Sequence, residues 1–192
     1  MKSFQLIFLA FYLVLAHYPS IAFANCDLNN LNFVGAINSD REFLIQFAIT
    51  AYNETYLDEV DQIVDFDRAR EIFAISQEQI DQGLVEKAVS GTGSVLGFYS
   101  LKLVQDNKRI ELGLLNVDRS CQGKGLGTML FKRAVEVGKS LGKSLMQWIS
   151  DPKAVGFYEK RGALRMNSYP NELTPSADPV VEFEMPLVPK SH

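Results

Sequence analysis

The chain has 192 residues, of which 47% are hydrophobic and 22% charged, as in an ordinary globular protein, and this length predicts one domain. The formal net charge of −4 argues against a nucleic-acid-binding protein, which is usually basic. Both histidines, His17 and His192, lie in terminal segments, which excludes a Ser-His-Asp triad, a Cys-His pair and a histidine zinc site. Two cysteines, Cys26 and Cys121, are too few for a disulfide framework or a cysteine metal site, so no metal is expected. Whether the two cysteines pair stays open.

The first 24 residues have the pattern of an export signal. One lysine precedes an apolar run over residues 6–16, which is shorter than the roughly 20 residues that a membrane-spanning helix needs. The sequence Ala22-Phe23-Ala24 fits a signal-peptidase site. We therefore expect residues 1–24 to be removed and residues 25–192 to leave the cytoplasm as one domain that does not span a membrane. The alternatives are a start codon assigned too early, which gives a cytoplasmic protein, and an uncleaved anchor.

The first half of the mature chain mixes strands and helices. "NFVGAI" predicts a strand, and Asp40 is expected to cap a helix whose apolar residues recur at helical spacing. A second, acidic helix is expected over residues 57–75. "LVEKAV" and "SVLGFYSLKLV" predict two strands joined by a glycine-rich turn.

In the second half of the chain, predicted strands and helices alternate. "IELGLLNV" predicts a strand, and a glycine-rich stretch then leads into a helix with apolar residues from Leu126 to Leu141. "SLMQWIS" predicts a buried strand, and "DPKAVGFYEKRG" a short helix between Pro152 and Gly162. The final stretch "VVEFEMPLV" alternates like a strand with one buried face. These elements predict an α+β fold with a mostly antiparallel sheet and one parallel unit around residues 110–150.

The stretch "QGKGLG" can bind an anion if it opens a helix. The first turn of a helix has unpaired backbone N–H groups and the positive end of the helix dipole, and glycines let a ligand approach that backbone. The spacing is neither a Walker A loop nor a dinucleotide-binding fingerprint. Read alone, it is compatible with a plain turn.

Two motifs together resemble the acetyl-CoA signature of the GNAT superfamily of N-acetyltransferases. Gln122, Gly125 and Gly127 follow the pattern Gln/Arg-x-x-Gly-x-Gly/Ala directly after a strand, and "DPKAVGFYEKRGA" follows about 30 residues later. The resemblance implies a mixed, mostly antiparallel sheet of about six to seven strands flanked by helices. It also implies transfer of an acetyl group from acetyl-CoA to a primary amine.

The resemblance also implies a set of residues that bind coenzyme A. The strand before the loop bends away from its parallel neighbour, for which Gly113 is suited, and the backbone of Leu115 and Val117 faces the pantetheine. The pyrophosphate is held by the N–H groups of the loop, which are those of Gln122, Gly123, Lys124, Gly125, Leu126, Gly127 and Thr128. Family members often have an asparagine near the start of the later motif, where this chain has Ser150-Asp151, which leaves that pantetheine contact open.

Two side chains are the predicted catalytic groups. Tyr158 stands where the family places the tyrosine that protonates the coenzyme A sulfur, although it can also be a core aromatic. Glu111 occupies the frequent position of the general base, with Asp118 and Glu71 as alternatives. Acyl transfer needs both functions, since the amine must lose a proton and the thiolate must gain one.

The acceptor is expected to be cationic. Residues 40–81 contain eleven Asp and Glu against three Lys and Arg, which gives this segment a net charge of 3 − 11 = −8. The segment includes the first two predicted helices, and the acceptor would enter between these helices and the sheet. A negative segment at that position favours a cationic amine. We therefore expect the partner to be a small-molecule or peptide amine and not a nucleic acid. We also expect the protein to be a monomer or a homodimer. Two other functions stay open: a non-catalytic acyl-CoA-binding module, and an exported interaction protein on the same scaffold.

Overall fold

The computed structural model describes residues 26–56, 66–175 and 177–187. The predicted export signal, both histidines and the first part of the predicted acidic helix lie outside these ranges. Within them, no helix is both long enough and apolar enough to cross a bilayer.

Seven strands form one mixed sheet in the order β1-β2-β3-β4-β5-β7-β6. Their bounds are β1 Asn32–Gly35, β2 Val85–Val89, β3 Val95–Leu103, β4 Arg109–Val117, β5 Leu145–Ser150, β6 Leu164–Tyr169 and β7 Val180–Pro186. Among the described strands, β4 and β5 form the one parallel pair, and the other neighbours are antiparallel. The predicted fold class is confirmed.

In the described part of the chain, five α-helices flank the sheet. They are α1 Arg41–Tyr56, α2 Phe66–Ile72, α3 Gln77–Asp81, α4 Leu126–Ser140 and α5 Val155–Glu159. The first three pack on one face, around Leu44, Phe47 and Phe98. α4 and α5 pack on the other face, around Leu130, Trp148 and Phe183. The alternation of strand side chains allows both faces of the sheet to be covered.

The strand β4 bends at Gly113. Ser100 of β3 pairs with Leu114 while the next residue, Leu101, pairs with Leu112, so Gly113 is an extra residue in a β-bulge. A Cβ atom at Gly113 would lie 3.1 Å from Ser100 Oγ and 3.0 Å from Lys102 Cε, which explains why glycine suits this position. The bend that the sequence predicted at Gly113 is therefore present.

The bulge opens a gap between β4 and β5. Their parallel pairing covers only residues 109–111 of β4 and 145–147 of β5. Beyond Glu111 and Gln147, the last pair, β4 continues to Val117 without hydrogen bonds to β5. The two strands therefore form a V, and backbone groups in the second half of β4 face the open side.

Three local features differ from the sequence-based expectations. β6 was not predicted, because its side chains are all exposed and only backbone pairing with β7 makes it a strand. α3 was also missed, although Ser76 and Gln79 form a capping box that marks its start. Asp40 ends a 3₁₀ turn instead of capping α1, and its carboxylate accepts a hydrogen bond from the N–H of Ile37.

The two cysteines form a disulfide. Cys26 and Cys121 are 95 residues apart in sequence, and their Cα atoms are 5.2 Å apart. Cys121 is buried in the 3₁₀ turn Arg119–Cys121, directly before the glycine-rich loop. The bond therefore joins the start of the described chain to the edge of the candidate site. The sequence analysis had left open whether the two cysteines pair.

Candidate active site

The glycine-rich loop adopts a backbone that only glycine takes easily. Gly123 and Gly125 have φ values of +72° and +98°, in the left-handed region. A Cβ atom at either residue would meet nothing within 4 Å, so the space in front of the loop is open. Gly125 precedes α4 without any side-chain cap, which leaves the start of this 15-residue helix accessible.

Four backbone N–H groups of the loop are open. In the described part of the chain, those of Gly123, Gly125, Leu126 and Gly127 donate to no protein acceptor. The other three predicted pyrophosphate donors are engaged: Gln122 N–H binds Arg119 O, Lys124 N–H binds Cys121 O and Thr128 N–H binds Gly125 O, at 3.0 to 3.3 Å. Four unpaired donors at the positive end of a long helix are suited to an anion.

The third glycine of the motif has a packing role. A Cβ atom at Gly127 would lie 3.4 Å from the Phe157 ring and 3.6 Å from Val117 Cγ2. These are ordinary van der Waals distances, so Gly127 lies where α5 packs against the start of α4 without being required there for lack of space. This contact brings the two motifs of the sequence together.

Arg161 is a residue of the site that the sequence analysis missed. Its guanidinium stacks on the Phe157 ring at 3.5 Å from the centroid and donates to Thr128 Oγ1 and to Phe157 O. Burial lowers the pKa of Arg161, and the nearby Tyr158 raises it by a smaller amount. None of the salt bridges among the described residues includes Arg161. A positive charge beside the positive end of α4 is unfavourable unless an anion binds there.

The predicted pantetheine residues lie along the open side of the gap. Leu115 and Val117 belong to the part of β4 that β5 does not pair with. The carbonyl of Val117 accepts a hydrogen bond of 3.4 Å from the Gln122 side chain, which links the strand to the loop. The arrangement fits an extended ligand arm that enters between the two strands.

Tyr158 lies in an aromatic cluster at the same gap. Its ring is 7% exposed, and the rings around it have centroids 4.9 to 5.7 Å away. These rings belong to Phe131, Trp148, Phe157 and Phe183. Burial raises the pKa of Tyr158, so the phenol keeps its proton at neutral pH. The side chain is thus both a core aromatic and a protonated group, and its catalytic role stays a prediction.

Glu111 is at the closed end of the V. It is the last residue of β4 that pairs with β5, and its carboxylate forms a salt bridge of 3.3 Å with Lys102. About a third of its side chain is exposed, at 34%. The role of Glu111 as general base also stays a prediction.

The acidic segment is partly neutralised by ion pairs. Lys87 contacts Asp40, Arg70 contacts Glu42, and Arg68 contacts both Glu71 and Glu172. The described carboxylates of this segment therefore do not form one open negative surface.

A polar and aromatic cluster lies where α1 meets the connection between β6 and β7. The Tyr52 ring is 4.9 Å from the Tyr56 ring and 5.6 Å from the Phe73 ring. The Tyr52 hydroxyl contacts Asn171 and Thr174, both of which are buried. This cluster flanks the candidate site on the face opposite α4, and the sequence analysis did not identify it because its members are up to 122 residues apart.

The family model that describes the acetyltransferase (GNAT) family matches residues 42–163. This range includes the β4–β5 gap, the glycine-rich loop and α5. The chain belongs to the GNAT acetyltransferase family. The predicted family and enzyme class, an N-acetyltransferase, are thereby confirmed. No curated protein sequence matches the chain.

Solved structures share the GNAT fold at low sequence identity. An acetyltransferase of the GNAT family from Staphylococcus aureus is 15% identical, with a TM-score of 0.62 over 82% of this chain and 99% of that one. The protein yncA from Salmonella typhimurium, solved with its cofactor acetyl-CoA, is 18% identical, with a TM-score of 0.58 over 85% and 97%. The paia N-acetyltransferase from Thermoplasma acidophilum, in complex with coenzyme A, is 20% identical, with a TM-score of 0.60 over 79% and 97%.

The GNAT domain brings most of the predicted residues to one place. The loop of residues 122–128, the open half of β4 and Tyr158 surround the gap between β4 and β5. Glu111 lies on β4 at the start of that gap, bound to Lys102. Arg161, in the turn after α5, adds a cation to the loop side. Its position in "YEKRGA" was the only sequence signal for it.

Proposed function

We propose that this GNAT protein transfers an acetyl group from acetyl-CoA to a primary amine. The observation that supports this best is the combination of a gap along β4 with four open N–H groups at its end. A backbone cradle of this kind suits a pyrophosphate, and the gap suits the extended pantetheine arm. Acetyl-CoA supplies the acetyl group as an activated thioester.

The residues of the chain have separate roles in this proposal. The N–H groups of Gly123, Gly125, Leu126 and Gly127 bind the pyrophosphate, and Arg161 adds positive charge beside them. The backbone of Leu115 and Val117 orients the pantetheine. Tyr158 is protonated at neutral pH, as a phenol normally is, and its hydroxyl is the proposed proton donor to the departing sulfur.

The test is thiol release from acetyl-CoA by residues 25–192, measured with a panel of a polyamine, an aminoglycoside, free lysine and a lysine peptide. We expect turnover with at least one amine and binding of acetyl-CoA in calorimetry. If acetyl-CoA binds without thiol release on any amine, the non-catalytic acyl-CoA-binding alternative is favoured instead.

The loop can be tested apart from catalysis. Gly125→Val places a branched side chain in front of the open N–H groups and should weaken acetyl-CoA binding at least tenfold, which is about 1.4 kcal/mol. Gly142→Val is the matched control, because Gly142 also has a positive φ, +70°, but lies at the other end of α4. Equal acetyl-CoA affinities in the two folded variants would contradict the proposed cradle.

We also propose that the mature protein starts at Asn25 and works outside the cytoplasm. The Cys26–Cys121 disulfide supports this, because disulfides persist mainly in oxidising compartments. Mass spectrometry of the protein from its native cell should give a mass without residues 1–24 and with both cysteines oxidised. A soluble cytoplasmic protein that retains residues 1–24 would contradict export, and would leave a GNAT enzyme in the compartment where acetyl-CoA is made.

A further inference from the structure

Asp151 is a carboxylate at the open end of the gap that forms no salt bridge with any described residue. It directly follows β5 and caps the turn Pro152–Ala154 that leads into α5. One oxygen, Oδ1, accepts from the Lys153 N–H at 2.8 Å, and the other, Oδ2, accepts from the Tyr56 hydroxyl at 2.6 Å. None of the salt bridges among the described residues includes Asp151, which is only half-buried. Its negative charge is therefore open to a ligand cation.

The negative charge of Asp151 affects the pKa of Tyr158, the proposed general acid. Burial raises the pKa of Tyr158 most, the Arg161 charge lowers it, and the charge of Asp151 raises it further. The same carboxylate also contributes to the raised pKa of Tyr52, after burial and the hydrogen bonds to that hydroxyl. Asp151 thus lies between the aromatic cluster of α1 and the phenol of α5.

The other candidate bases are already engaged. Glu111 is bound to Lys102, and Glu71 is bound to Arg68. Asp118 caps the 3₁₀ turn before the loop by accepting from the Ser120 N–H at 2.8 Å. Asp118 and Asp151 both cap turns, and neither forms a salt bridge among the described residues. Asp151 differs because its second oxygen accepts from the Tyr56 hydroxyl of α1.

The surroundings of Asp151 suit an ammonium group. The Tyr56 ring beside it already has the Lys153 ammonium 4.5 Å from its centroid, while that ammonium donates to the Thr55 carbonyl. Tyr56 is itself buried and its face is occupied by Lys153, so the group left for an incoming ammonium is the Asp151 carboxylate. A carboxylate binds an ammonium through strong charge-assisted hydrogen bonds. We propose that Asp151 holds the ammonium group of the acceptor beside Tyr158 and takes up the proton that this amine must lose.

This inference rests on the proposed acetyl transfer and adds the missing base to it. The Asp151 carboxylate removes one proton from the ammonium, and the freed nitrogen lone pair forms the C–N bond at the thioester carbonyl. The C–S bond then breaks, and its electron pair stays on sulfur, which takes the proton of the Tyr158 hydroxyl. The nitrogen gives its second proton to the Tyr158 oxygen, so the products are the amide, the free thiol and one proton on Asp151, which passes to solvent.

The test compares Asp151→Asn with Glu111→Gln in the full mature chain. Asparagine and serine cap turns about as well as aspartate, so Asp151→Asn and a second variant, Asp151→Ser, should keep the fold. We measure acetyl-CoA binding by calorimetry, spermidine and lysine binding to the coenzyme A complex, and thiol release with both amines. Loss of a general base typically lowers the rate about 10²–10⁴-fold.

We expect both Asp151 variants to lose amine binding and at least about 100-fold in kcat/KM for the amine, with acetyl-CoA affinity retained. Glu111→Gln should lose less. The inference is overturned if Asp151→Asn keeps wild-type turnover, or if the wild-type coenzyme A complex binds neither amine. A wild-type protein that does not bind acetyl-CoA would overturn the proposed function itself, which separates the two failures.

Discussion

Removing the Cys26–Cys121 disulfide should destabilise the protein strongly. The bond closes a loop with a sequence separation of 95 residues, which removes much of the conformational entropy of the unfolded chain. The chain-entropy relation for a loop of this length gives about 4.7 kcal/mol at 25 °C, near the upper end of the usual range for native disulfides. In a domain of 150 to 250 residues each kcal/mol corresponds to roughly 2–4 °C in Tm, so reduction should lower Tm by about 9–19 °C.

The assay is thermal unfolding of the mature chain with and without a phosphine reductant, followed by circular dichroism. Alkylation of both cysteines shows that the bond is reduced. Cys26→Ser is the matched variant: Cys26 is only partly buried, so the substitution breaks the bond with little change in the core, and the variant should not respond to the reductant. Acetyl-CoA affinity should also fall on reduction, because Cys121 is held directly before the loop that we propose as the cradle.

The reasoning would be refuted if both cysteines of the reduced protein become alkylated while Tm changes by less than about 2 °C. That result would mean that packing of the N-terminal segment alone holds Cys26 in place. A fall in Tm with unchanged acetyl-CoA affinity would keep the stability argument and would show that the loop geometry does not depend on the bond.

Three further results are expected. Tyr158→Phe should keep Tm and lower kcat about 10²–10⁴-fold, and wild-type kcat in this variant would remove the general-acid role. Arg161→Met should weaken binding of acetyl-CoA but not of S-acetylpantetheine, which lacks the pyrophosphate, and equal losses for both ligands would make Arg161 a packing residue only. Burial raises the pKa of Tyr158, Tyr99 and Tyr52, so the unfolded state loses these protons first as the pH rises past about 10. The contribution of these tyrosines to the free energy of unfolding should therefore be fully present below that pH and decrease above it. The decrease should be smaller in Tyr158→Phe, and thermal unfolding between pH 8 and pH 11 would test this.

The sequence by itself determined the elements whose patterns are local. The alternation in β7 and the helical spacing in α4 each follow from side chains within one short segment. The two motifs also identified the family, which the match over residues 42–163 confirmed. Gly113 could be predicted as the bend of β4 because a strand tolerates glycine mainly at such positions.

The tertiary structure alone decided the elements and contacts that depend on distant partners. β6 has no buried face, so its exposed residues form a strand only because β7 supplies backbone partners. The disulfide spans 95 residues, and spacing gives no information about such a pair. The partners of ionisable groups are equally non-local. Lys102 binds Glu111 across the β3–β4 pair, and Tyr56 reaches Asp151 from 95 residues away. Because charge and hydrogen bonding act through space, the choice between Glu111 and Asp151 as the base depends on packing that no local pattern records.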